Sequence, residues 1–141
     1  MAKVTLEQAN TIIAAGQAKG REMGIGPLTI VVLDDGGHLV SMQREDKSGI
    51  LRFEIAFGKA WGGLAIGRSS RANEADILTR EHFGVALAAA SDGRLVPVPG
   101  GVIIKNGDEI VGAVGVSGDS SDNDETAGVA GIEAAGLTAA V

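Results

Sequence analysis

The chain has 141 residues, 45% of them hydrophobic, which is enough for one domain spanning 1–141 that buries roughly two thirds of its unfolded surface. A net charge of −6 with twelve scattered basic residues argues against a nucleic-acid partner, since phosphate contacts need clustered Lys and Arg. The absence of cysteine excludes a disulfide framework and thiolate chemistry, and no apolar run approaches the ~20 residues that span a bilayer.

Met1-Ala2-Lys3-Val4-Thr5 runs into a helical pattern with no signal-like apolar segment, so a cytoplasmic protein without a membrane partner is expected. Thr5-Leu6-Glu7-Gln8 reads as a capping box, and apolar residues keep helical spacing from Leu6 to about Met23 before Gly24-Ile25-Gly26-Pro27 stops the helix. Leu28 to Leu33 is a β-branched run that predicts a buried strand. Asp34-Asp35-Gly36-Gly37 is a tight turn, and His38 to Gln43 returns as a second strand. A helix is expected from Gly49 to about Gly67. The region 68–92 is polar and then helical around Glu81 to Ala90, with Asp92-Gly93 turning the chain. Three short strands are predicted at 94–98, 101–105 and 110–117, followed by a helix that Ser120 or Ser121 caps and that runs to about Gly136. Hairpin-type connections dominate this order, which predicts an α+β fold. Its five-stranded sheet should be mostly antiparallel, with helices on its faces, and it resembles the profilin-like and PAS-like architectures.

The composition is unusual in kind: four aromatics (Phe53, Phe57, Trp61, Phe83), no tyrosine and 22 glycines. Alanine- and glycine-rich helices suit close contact between chains, so a homo-oligomer is expected. Glycines 112, 115 and 118 interrupt one strand-like run, which implies that another backbone or a ligand comes close there. Gly112 to Gly118 ends a strand before a helix, as a phosphate cradle does. The residues that follow (Asp119, Asp122, Asp124, Glu125) would repel a phosphate. Close packing beside an acidic helix start, or Asp124 or Glu125 turned into a cleft, are the other readings. His38 and His82 do not have a paired metal-ligand spacing, so no metal site is expected, although either can ligate an iron singly. On the central helix, Arg52 and Lys59 lie two turns apart on one face while Glu54 lies off it. Lys59 reads either as an ammonium offered to a small acid or as a solvated surface lysine.

The succession Val31-Val32-Leu33-Asp34-Asp35-Gly36-Gly37-His38-Leu39-Val40, Ile55-Ala56-Phe57-Gly58-Lys59-Ala60, Ala65-Ile66-Gly67-Arg68-Ser69-Ser70, Pro99 to Ile104, Val111 to Gly118 and Asp124-Glu125 resembles the GlcG/HbpS-like family of heme-associated proteins, which includes the PduO carboxy-terminal domain. The resemblance covers nearly the whole chain. It implies a profilin-like fold, a homo-oligomer and, as in some members, heme as a cofactor, with other members accompanying the catabolism of small molecules. Residues 4–23 contain no histidine, so a ligand on the first helix does not transfer. The expected function is binding of a small ligand of the heme-associated type, accessory to a catabolic pathway. His38 and His82 are the candidate axial ligands, Met23 and Met42 stand behind them, and the Gly100–Gly101 backbone is expected to face the ligand. The competing class is an enzyme that moves a proton on a small organic acid. There Lys59 anchors the acid, Glu54 or Glu125 acts as base, and Gly100 and Gly101 donate N–H groups to an oxyanion.

Overall fold

The computed structural model describes residues 3–141; Met1 and Ala2, where the reading of the amino terminus began, lie outside the described residues. Helix α1 (Leu6–Met23) opens with the predicted capping box: Thr5 Oγ1 accepts from Gln8 N and Gln8 Oε1 accepts from Thr5 N. Gly24 ends it in the left-handed conformation (φ 67°) that residues with a Cβ resist. Strands β1 (Thr29–Asp34) and β2 (Leu39–Arg44) form a hairpin whose turn is held by Asp34 Oδ1, which accepts from Gly36 N and His38 N. Helix α2 (Arg52–Ile66) follows, then α3 (Ser70–Thr79), α4 (Glu81–Ala90), β3 (Gly101–Asn106), β4 (Glu109–Ser117), α5 (Ser121–Ala134) and β5 (Thr138–Ala140).

The strands form one antiparallel sheet in the order β2-β1-β4-β3-β5. Helices α1 and α5 pack together on one face over Ile30, Val32, Val102, Ile104, Val114 and Val116. Helix α2 covers the other face over Val31, Leu33, Ile103 and Ala113. Alternation along each strand thus supplies two cores, one on each side of a buried sheet.

The strand expected at 94–98 does not form; the fifth strand is β5, at the carboxy-terminal end. Pro97 and Pro99 have no N–H to give a ladder. Instead Val96 N donates to Gly58 O of α2 (3.2 Å), and Leu95 lies on Gly62, where a Cβ would come within 2.8 Å of Leu95 Cγ. The segment therefore runs along α2 rather than along the sheet. A second difference is α3, which forms in the part of 68–92 read only as polar. Ser69 caps it by accepting from Ala72 N. The helix expected from Gly49 starts at Arg52.

Candidate functional site

Glycines on β3 and β4 let α2 lie unusually close to the sheet. A Cβ at Gly115 would collide with the Ala56 carbonyl, and one at Gly101 with the Lys59 carbonyl. The close approach predicted for these glycines is therefore made by protein backbone, and α2 occupies the place expected for a flat ligand against Gly100 and Gly101. The Gly101 N–H donates to Ser70 Oγ (2.7 Å), whose own proton goes to Gly101 O (3.2 Å). That N–H is thus already engaged and is not presented to an oxyanion.

Arg52 and Lys59 share the α2 face that meets the end of β4, as their spacing predicts. Arg52 donates to Ser117 Oγ (3.1 Å). Lys59 Nζ donates to Val116 O (2.8 Å) and to Asp124 Oδ2 (3.1 Å), and both side chains of this ion pair are 2% exposed. Asp124 Oδ1 accepts from Asp119 N (2.9 Å), and the Gly100 backbone closes over the ammonium. Burial pushes the Lys59 ammonium below the ordinary lysine range, partly offset by Asp124. Burial likewise pushes the Asp124 carboxyl up, against the pull of Lys59 and the Asp119 N–H. Lys59 is neither a solvated surface lysine nor open to a small acid; it ties α2, β4 and α5 together from inside.

The other acid–base candidates lie elsewhere. Glu125, one residue on, accepts from Arg71 Nε through both oxygens (3.1 and 3.0 Å), and Arg71 also pairs with Asp122. These carboxylates hold the Arg71 guanidinium firmly charged. Glu54 is exposed and forms part of a cleft of about 260 Å³ with Phe53, Phe57, Asp92, Gly93 and Arg94, while the Arg94 guanidinium rests 4.4 Å over the Trp61 ring. Glu54, Lys59 and Glu125 do not converge on one space. Among the described residues, no three His, Asp or Glu side chains gather as a metal site.

The two histidines differ in surroundings. His38 stands on the β1–β2 turn with its side chain 79% exposed and Nδ1 3.3 Å from Asp34 Oδ1. The hollow beside it, lined by Asp35, Gly36, Gly37, Trp61, Leu64 and Ala65, measures about 140 Å³. His82 is exposed on α4, three residues before Val85 and hence beside it on the helix surface. Val85 belongs to an open cleft of about 390 Å³ whose walls are almost wholly apolar: Ile77, Leu78, Gly84, Val85, Ala88, Leu95 and Pro97, with Glu81 at one end. Met42 packs against the core under α2, and Met23 is half-buried at the end of α1; neither lines this cleft. The cleft escapes a reading by motif because it is built from three separated segments. The one local signal is that Phe83 to Ala90 is apolar throughout.

The profile described as "Haem degrading protein HbpS-like" matches residues 4–133. A 15.0 kDa protein of the dhaT–dhaS intergenic region of Citrobacter freundii is 30% identical over 125 residues, covering 88% of this chain and 86% of its own. Protein GlcG of Escherichia coli K12 is 34% identical over 117 residues, covering 82% and 83%. Among solved structures, the PduOC:heme complex superposes with a TM-score of 0.88 at 18% identity, over 99% of this chain and 100% of that one, a likeness of fold.

Proposed function

The chain belongs to the HbpS-like family, and from that premise we propose that it is a small-ligand-binding protein of the heme-associated type whose α3–α4 cleft would hold heme, with His82 as the residue that would ligate its iron. The observation that carries this reading is the apolar cleft with an exposed imidazole beside it. A flat hydrophobic macrocycle needs apolar walls, and small-molecule pockets measure roughly 300–1,000 Å³. The cleft meets both conditions at about 390 Å³, whereas the hollow beside His38 is too small and more polar. Arg80, whose guanidinium lies 4.2 Å over the Phe83 ring and 3.4 Å from Asp76 Oδ2, is the cation nearest His82 in sequence and would have to share its charge between Asp76 and a propionate. When bound, heme supplies an iron centre that histidine ligation tunes. The chain's own residues bind the ring, present the imidazole and keep water from one face.

The same reading places the protein in the cytoplasm, as a homo-oligomer accessory to the catabolism of a small molecule. A cysteine-free chain folds without disulfide formation and is compatible with that location. No helix among the described residues is long and apolar enough to cross a membrane. The likeness to the PduOC:heme complex supports the cofactor.

Hemin titration followed at the Soret band tests the ligand. A red-shifted band is expected in the wild type and in His38→Ala, and its loss or displacement in His82→Ala. An equal shift in all three proteins would remove His82 from the reading, and no shift in the wild type would remove heme.

A further inference from the structure

We propose that the outward face of α4 docks a second copy of this chain, the two α4 helices lying antiparallel about a two-fold axis near their midpoints. This names the surface for the assembly in the reading above and rests on that part of it. Helix α4 has ten residues, and not one of its side chains is buried. A helix that short is marginal in water by itself, and α4 meets the rest of the molecule chiefly through α3. The two helices are in close contact there, since a Cβ at Gly84 would come within 2.6 Å of Ile77 Cγ2. Leu78 and Val85 are each 72% exposed, and Ala86 and Ala89 stand exposed near Val85. A contiguous apolar face of this kind marks an interface.

The charge pattern fits another copy as the occupant. Residues 82–91 contain no carboxylate, lysine or arginine, so chains of net charge −6 can approach one another there without like charges meeting. At the start of α4 stand Glu81 and Arg80, the latter 3.4 Å from Asp76 Oδ2, and just past the end stand Asp92 and Arg94. Antiparallel packing sets the Arg80 end against the partner's Asp92 end, and it opposes the two helix dipoles. Such a patch is self-complementary under two-fold symmetry, which an isologous interface requires. Ala86 and Ala89 leave room for close helix approach, with His82 on the same outward stripe. The neighbouring cleft, open on one copy, is then roofed by the second.

Sedimentation equilibrium at micromolar concentration gives the direct test. The wild type is expected at an even multiple of 14.2 kDa. Val85→Glu is expected at 14.2 kDa with its far-ultraviolet circular dichroism kept. Ile50→Glu, at a position 87% exposed on the loop before α2, is expected to stay assembled. Because the chain has no cysteine, mild oxidation of Val85→Cys should give a covalent pair, since an axis at the helix midpoint brings the two sites within disulfide reach. Ile50→Cys should not. A wild type of 14.2 kDa would overturn both this interface and the assembly reading. Persistent assembly of Val85→Glu together with no cross-link at position 85 would overturn this interface alone, and hemin binding tests the heme reading separately.

Discussion

Lys59 and Asp124 show how much one buried pair governs. Removing one partner of such a pair leaves an uncompensated charge, a loss of about 3–5 kcal/mol, whereas neutralising both is far milder. Lys59→Met is therefore expected to lose stability on that scale in urea unfolding, and Lys59→Met/Asp124→Asn to recover at least half of it. A single-variant loss below about 1 kcal/mol would contradict the strut. Asp119 provides a pH handle. Its carboxylate accepts from Asn123 Nδ2, the Ser120 N–H and the Gly26 N–H, which hold its pKa below the ordinary 3.8. The unfolded chain then takes up this proton first as pH falls. The stability contributed is fully present above pH 3.8 and is lost as pH drops through the lower folded value. Asp119→Asn should flatten the fall in unfolding free energy below about pH 4; an unchanged slope would count against those hydrogen bonds. The sequence singles out Lys59 and its shared face with Arg52, because helical spacing is local. It leaves open which of Asp124 and Glu125 turns inward, since neighbours on a helix differ by about 100° and only the docking of α5 on the sheet decides between them.

At the scale of elements, the glycines of β3 and β4 set the distance between α2 and the sheet. Gly115→Ala would drive a methyl group into the Ala56 carbonyl, a backbone atom that cannot rotate away. A loss of about 3 kcal/mol or more is expected, at the upper end of overpacking. Gly107, at the β3–β4 turn with φ 64° and open space around it, should lose about 1 kcal/mol as alanine, from backbone strain alone. Equal losses in thermal unfolding would contradict the close approach. The first hairpin, α1 and the α5 cap were readable because turn and cap residues act over three or four positions. The strand placed at 94–98 was not, because β-branched residues between prolines look extended whether they join a sheet or lie on a helix. Only the Gly58 and Gly62 surface of α2 makes the second choice. Helix α3 lacked an apolar period to announce it; of its ten residues only Ser70 and Asn73 are buried.

For the whole molecule, the α+β class, the antiparallel five-stranded sheet and the family were legible, because they rest on element order and on motifs spread along most of the chain. The cleft was not, since Ile77, Val85 and Leu95 are brought together only when α3, α4 and the extended segment fold onto one another. The proposed heme site is that cleft rather than the His38 hairpin or the buried glycines. Nuclear magnetic resonance of the ¹⁵N-labelled protein with gallium protoporphyrin, a diamagnetic heme analogue, tests it most directly. The largest amide shifts are expected between residues 77 and 97, centred on His82 and Val85, with Gly36 to His38 unmoved. Shifts concentrated on the β1–β2 turn and Trp61, or spread evenly with no centre, would contradict it.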